Sequence, residues 1–194
     1  SLMIFISDAI DAINKIREDA VVVSTMTANL YWEQVSVRNE LDLPIFGAMG
    51  KASSVALGVA IARPDKKVLV LDGDGSLLMN LGTLVTAAGK QPSNLVHFVF
   101  DDGVYHTTGD QPVPGSNIYN FTEIARGAGI KGSYMFDDIE NFVVDLPGLI
   151  EKKGPIFVCL KVVHPSKSPA SRIGTSSEAI KRVMCHLKTE IMRT

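Results

Sequence analysis

Cysteine is scarce: the chain carries two in 194 residues, Cys159 and Cys185. That excludes a disulfide-stapled scaffold. The two thiols sit in an apolar strand-like run and a helical run, which reads as free cysteines in a reducing compartment. Charge of one sign is equally lacking. A net charge of −2 leaves no electrostatic footprint for nucleic acid or for an anionic membrane surface. Long hydrophobic runs are missing too, and no basic segment precedes one, so neither a signal peptide nor a membrane-spanning helix is expected and the cytoplasm is the expected location. No internal repeat is visible. What is present is a globular composition, 46% hydrophobic and 21% charged, over a length that suits a single domain with a substantial core, residues 1–194.

One stretch organises the rest. Val68-Leu-Val-Leu71 is apolar and partly β-branched; Asp72-Gly73-Asp74-Gly75-Ser76 follows, and an apolar helical pattern begins at once. A buried strand running into a glycine turn and a helix start brings backbone N–H groups to bear on an anion. An aspartate beside such an anion reads as a ligand for a bridging cation. A diphosphate with Mg²⁺ is the first expectation. Downstream, Asn94 to Phe100 forms a second buried strand that delivers Asp101-Asp102-Gly103-Val104-Tyr105 to the next loop. Parallel strand ends lie along one carboxyl edge, where ligands bind in open α/β sheets, so Asp74 and Asp102 are expected to share one metal.

Other readings of DGDGS compete. An EF-hand loop fails, since Leu77 stands where the turn glycine belongs and Thr83 where the bidentate glutamate belongs. A phosphatase of the haloacid dehalogenase type, with Asp72 as nucleophile and Asp74 as acid, matches locally. Such a motif normally opens its domain, whereas about two βα units precede it here.

Around this centre, Ser7 and Asp8 are expected to cap a helix carrying Ile10, Ile13 and Ile16. Ala20 to Val23 reads as a short strand, and Ser24-Thr25-Met26-Thr27 as a polar loop whose hydroxyls would face diphosphate oxygens. A helix is expected over Leu30–Val37, another over Val55–Ala62 after the turn Gly47-Ala48-Met49-Gly50, and one continuous helix over Leu77–Ala88. Beyond Asp102, His106-Thr-Thr-Gly-Asp-Gln-Pro112 is a polar loop at the edge where substrate is met; His106 is the candidate for proton transfer or for an acidic substrate group. A helix over Phe121–Gly129, a strand over Ser133–Phe136, a helix over Asp138–Lys152 interrupted at Pro147, and a strand over Pro155–Val163 follow. Residues 164–174 read as a loose linker, and Thr175-Ser-Ser-Glu178 as a capping box opening a terminal helix over 175–192. The alternation predicts an α/β, doubly wound, mostly parallel sheet with helices on both faces.

GAMG, GDGS and DDGVY, in that order, together resemble the thiamine diphosphate (ThDP)-dependent enzymes, specifically their C-terminal diphosphate-binding domain, over roughly Asp19 to Val163. GAMGKASSVALGVAIARPDKKVLVLDGDGSLLMNLGTL and DDGVYHTTGDQP look closest to the sulfopyruvate and phosphonopyruvate decarboxylases. The resemblance implies that the Gly47 carbonyl bonds the aminopyrimidine, that Met49 wedges beneath the cofactor, that Gly73, Gly75 and Ser76 approach the diphosphate, and that Asp74, Asp102 and the Val104 carbonyl hold Mg²⁺, with Tyr105 beside them. It departs from the family at Asp102, where an asparagine is usual. It also implies a small 2-oxoacid substrate, an oligomer, and a separate pyrimidine-binding alpha subunit that supplies the activating glutamate. Lys51, His106 and Arg126 are candidates for an anionic substrate tail. A non-catalytic ThDP-binding module stays open as an alternative. A 2-oxoacid:ferredoxin oxidoreductase fits less well, because its cluster cysteines have no counterpart here.

Overall fold

The computed structural model describes residues 2–165, 169–170 and 176–191, apart from the side chains of Ser176 and Ile191. In chain order they form β1 (Ile4–Phe5), α1 (Ile6–Ile16), β2 (Val21–Thr25), α2 (Met26–Val35), β3 (Asp42–Ile45), α3 (Ala52–Ala62), β4 (Val68–Gly73), α4 (Asp74–Met79), α5 (Thr83–Lys90) and β5 (Leu95–Asp101). A small hairpin of β6 (Val104–Tyr105) and β7 (Gln111–Pro112) comes next, then α6 (Phe121–Gly127), β8 (Gly132–Phe136), α7 (Ile139–Glu151), β9 (Ile156–Val163) and α8 (Ser176–Ile191).

The apolar runs of β4 and β5 are buried on both faces, as parallel strands covered by helices must be. They pair at the centre of a parallel sheet ordered β1-β9-β5-β4-β2-β3, with β8 also on β9. Alternate residues of each strand feed two cores. Val68, Val70 and Val99 pack with Ala56 of α3, Leu84 of α5, Ala125 of α6 and Val183 of α8. Leu69, Leu71 and Phe98 pack with Ile10 of α1, Trp32 of α2 and Phe142 of α7 on the other side. The sheet is doubly wound, as the alternation predicted.

Local details differ from the sequence reading. Helix α1 starts at Ile6 directly from β1, so Ser7 and Asp8 lie inside its first turn and the Ser7 hydroxyl contacts Asp8 instead of capping. Asp42–Ile45 is a strand that the sequence reading leaves unassigned; it pairs with β2 at the sheet edge, the position where a strand proline such as Pro44, opposite Ser24, is tolerated. Leu77–Ala88 is two helices. Asn80 breaks it by turning its amide to the Gly50 carbonyl and the Ser54 hydroxyl, a tertiary contact with no local signature. Pro147 interrupts nothing: α7 runs through it, anchored by buried Leu146 and Leu149 on either side. Asn120 and Asp138 cap α6 and α7 by accepting from the second and third backbone N–H groups. Thr175, and with it the proposed capping box, lies outside the described residues, as does most of the 164–174 segment. Cys159 is buried and Cys185 exposed, both free.

At the β2–β3 edge, Asp42 is enclosed by donors. It accepts from Arg17 Nη1 at 2.7 Å, from Trp32 Nε1 at 2.9 Å and from the Ser36 hydroxyl, while Arg17 Nη2 binds the Ala20 carbonyl. Arg17 and Asp42 are almost wholly buried. Removing one partner of such a pair strands the other charge, which costs ~3–5 kcal/mol, whereas an apolar pair of similar volume costs far less. Asp42→Ala is therefore expected to lower unfolding free energy by that amount in urea titration, and Arg17→Met/Asp42→Leu by clearly less than Asp42→Ala alone.

Candidate functional site

The β4–β5 register ends on Gly73 opposite Phe100, so the loops after both strands leave the sheet side by side. They open a cleft at the carboxyl edge, lined by Met26, Thr27 and Ala28, by Met49, by Gly73 to Ser76, and by Asp102, Val104 to Thr107 and His164. Asp74 and Asp102 meet here as the sequence expected. Asp74 Oδ1 accepts the Gly75 N–H at 2.6 Å, and its Oδ2 accepts the Gly103 N–H at 2.8 Å, tying the two loops together. Asp102 Oδ1 accepts the Val104 N–H at 2.9 Å, and its Oδ2 accepts from His164 Nε2. Burial, then the neighbouring Asp102 charge, push the Asp74 carboxyl up to about 7.

Two glycines are required here. A Cβ on Gly75 would fall 2.3 Å from the Tyr105 ring, so only glycine lets that ring lie on the turn. Gly50 has φ +80°, and a Cβ there would fall 2.9 Å from Met79 Cβ. Its N–H donates to the Ser76 hydroxyl at 3.0 Å, which fastens the GAMG turn to DGDGS.

The remaining candidates divide. Met49, Gly73, Ser76, Val104, Tyr105 and His106 line the cleft. Gly47 is exposed with φ +75° and stands outside the lining. Ser24 and Thr25 are not in a loop but end β2, fully buried. The Ser24 hydroxyl donates to Asn29 at 2.7 Å and the Thr25 hydroxyl to the Ile45 carbonyl at 2.8 Å, so both are used inside the fold and Thr27 takes the lining position. Lys51 is exposed and Arg126 is held by Glu123 and the Ser133 carbonyl; neither lines the cleft. Asp72 is buried, its Oδ1 accepting the Gly73 N–H and its Oδ2 lying 3.1 Å from His97 Nε2. It has no open face for nucleophilic attack, which removes the phosphatase reading.

His164 is the residue that sequence reasoning missed. The sequence reads it as part of a loose linker, yet it lies one position beyond β9, where the carboxyl-edge rule that singles out Asp102 applies equally. Its ring stacks on His106 with centroids 4.1 Å apart and planes 2° from parallel, and His106 Nδ1 lies 2.6 Å from Asp110. Among the described residues no group of three or more His, Cys, Asp or Glu is arranged to hold a metal. A cation between Asp74 and Asp102 would therefore complete its shell from backbone carbonyl, water or a bound anion.

Comparison with known proteins gives a consistent picture. The family model for the thiamine pyrophosphate enzyme, C-terminal TPP binding domain, matches residues 20–160. Sulfopyruvate decarboxylase subunit beta of Methanothermobacter thermautotrophicus is 35% identical over 176 residues, covering 89% of each chain. Phosphonopyruvate decarboxylase of Streptomyces hygroscopicus is 34% identical over 144 residues, 74% of this chain and 35% of that one; the chain thus spans about a third of that relative. In fold, the ThDP-dependent 4-hydroxybenzoylformate decarboxylase of Rhodococcus jostii superposes with a TM-score of 0.70 at 20% identity, covering 86% of this chain and 34% of that one. Among the described residues no helix is long and apolar enough to cross a membrane.

The raised Asp74 carboxyl has a signed consequence. It holds a proton in the ligand-free fold up to about pH 7 but loses it near pH 3.8 in the unfolded chain. Its penalty on stability thus grows as pH rises from about 4 to about 7 and stays constant above that. Asp74→Asn removes the titration. The stability difference, variant minus wild type, is expected to rise by on the order of 2–4 kcal/mol between pH 4 and pH 8 in denaturant titrations. The hydrogen bond that an amide cannot make to two N–H donors is common to both pH values and cancels.

Proposed function

Because the chain belongs to the thiamine pyrophosphate enzymes through their C-terminal TPP-binding domain, we propose that it is the diphosphate-binding subunit of a ThDP- and Mg²⁺-dependent 2-oxoacid decarboxylase acting on sulfopyruvate or phosphonopyruvate. The observation that carries this is the convergence of Asp74 and Asp102 in one cleft at the ends of two adjacent parallel strands. The donor set is all oxygen, which suits a hard cation such as Mg²⁺, and two carboxylates leave room for phosphate oxygens and water. The substrate class comes from the names of the relatives, sulfopyruvate decarboxylase subunit beta above all, with which this chain shares nearly its whole length.

In this reading Asp74, Asp102 and the Val104 carbonyl hold the cation, and Gly73, Gly75 and Ser76 present the turn to the diphosphate. Met49 and Tyr105, both in the cleft lining, would support the cofactor, and the Gly47 carbonyl, beyond that lining, would accept from its aminopyrimidine. Ser24 and Thr25 act from behind, fixing the end of β2 so that Thr27 reaches the cleft. When bound, ThDP supplies the carbanion-stabilising chemistry of decarboxylation; the chain binds, orients and partly desolvates it. His106, on the loop beyond Tyr105, faces the incoming 2-oxoacid.

Among the described residues lining the cleft there is no glutamate. This supports a separate pyrimidine-binding alpha subunit that contributes the activating carboxyl, and a hetero-oligomer as the working form. ThDP titrated by calorimetry with Mg²⁺ is expected to bind weakly to the chain alone and more tightly with the alpha subunit. Asp74→Ala and Asp102→Ala are each expected to weaken metal-dependent binding by at least about 100-fold, an order set by losing a charged ligand. CO₂ release from sulfopyruvate or phosphonopyruvate is expected only with both subunits. Binding without turnover would instead assign the chain as a non-catalytic ThDP module, and no binding in either condition would overturn the reading.

A further inference from the structure

We propose that His164 is a positioning residue for the cation site: its Nε2–H fixes the Asp102 carboxylate, and its ring couples the metal-binding loop to the substrate loop through His106. The inference rests on the cation-site reading above. The topology explains why this histidine arrives there. Strand β9 pairs with β5 up to Lys161 opposite Asp101, so continuing both chains three residues brings position 164 alongside the 102–104 loop.

The chemistry is that of a carboxylate in need of donors. Both oxygens of Asp74 are taken by backbone N–H groups and Oδ1 of Asp102 by Val104 N–H. Oδ2 of Asp102 has His164 Nε2. Each side chain of this pair is about nine-tenths buried, so without His164 a desolvated oxygen would lose its donor next to a second carboxylate. Holding Oδ2 sets the carboxylate plane and so the direction of the lone pair left on Oδ1. Because an ionised carboxylate only accepts, the proton between them belongs to Nε2. The other ring nitrogen, Nδ1, is buried with no hydrogen-bond partner among the described residues. The ring is thus fixed by Asp102 on its edge and by the His106 ring on its face, at 4.1 Å and 2°. Substituting outer donors that orient metal ligands typically costs 10–100-fold in metal affinity.

The test is a double-mutant cycle read by calorimetric titration of Mg²⁺ at saturating ThDP into the complex with its alpha subunit. Near-ultraviolet circular dichroism serves as the check on folding. His164→Ala is expected to weaken Mg²⁺ by about 10–100-fold, and His164→Gln, which keeps an N–H donor, to restore affinity to within about threefold of wild type. With Asp102→Asn, whose amide cannot accept through both positions, the combined loss is expected to fall short of the product of the single losses by about fivefold or more. Additive losses, or failure of glutamine to rescue, would overturn the positioning role while leaving the cation site intact. A wild-type complex that shows no Mg²⁺-dependent ThDP binding would instead overturn the site itself, and with it this inference.

Discussion

The pairing of β4 with β5 governs the molecule. Two parallel strands with buried apolar runs, in register, bring Gly73 at the end of β4 level with Phe100, one residue before the end of β5. Whatever follows them must then leave the sheet together, and the N–H groups of Gly75, Gly103 and Val104 turn onto the two aspartates there. An aspartate after each strand is forced into a neighbour's field, and the displaced Asp74 titration is the electrostatic mark of that crowding. Such an arrangement is costly in a ligand-free protein and becomes favourable only when positive charge enters.

The remaining elements serve that edge. The GAMG turn is fastened to it through Gly50 N–H and Ser76, and the broken helix α4–α5 is pinned to the same turn through Asn80. On the far side, β9 carries His164 to the Asp102 oxygen that nothing on β4 or β5 reaches. The cleft is therefore assembled from several separate chain segments, most of which leave a buried strand or enter a packed helix. That is the kind of preorganisation a cofactor-binding domain needs, since the chemistry belongs to the cofactor and the protein contributes placement.

Buried polar groups elsewhere play a different part. Asp42 with Arg17, Trp32 and Ser36 closes the β2–β3 edge. Arg63 and Lys66 meet Glu190 and hold α8 against the body. Asp72 and His97 satisfy each other inside the sheet. These contacts look like chemistry in a list of residues, and Asp72 in particular mimics a nucleophile until its burial is known. Each of these carboxylates has a cationic or imidazole partner inside the fold, whereas Asp74 has only backbone N–H donors and sits in the field of Asp102, a crowding that asks for a cation.

The strands β4, β5 and β9, the helices α6 and α7, the doubly wound class and the meeting of Asp74 with Asp102 were all written in local pattern: apolar runs of strand length, glycine-bearing turns, and the rule that parallel strands share an edge. Those signals are local because hydrophobic burial and turn geometry act over a few residues. Contacts between distant segments had no such signature. Only the tertiary structure turned the Ser24 and Thr25 hydroxyls inward to Asn29 and Ile45, split the helix at Asn80 through Gly50 and Ser54, hid Asp72 against His97, and carried His164 from an apparent linker onto Asp102. A hydrogen bond is decided by where its partner arrives, and the arrival of a partner some 60 residues away depends on sheet order and register, which no short stretch of sequence contains.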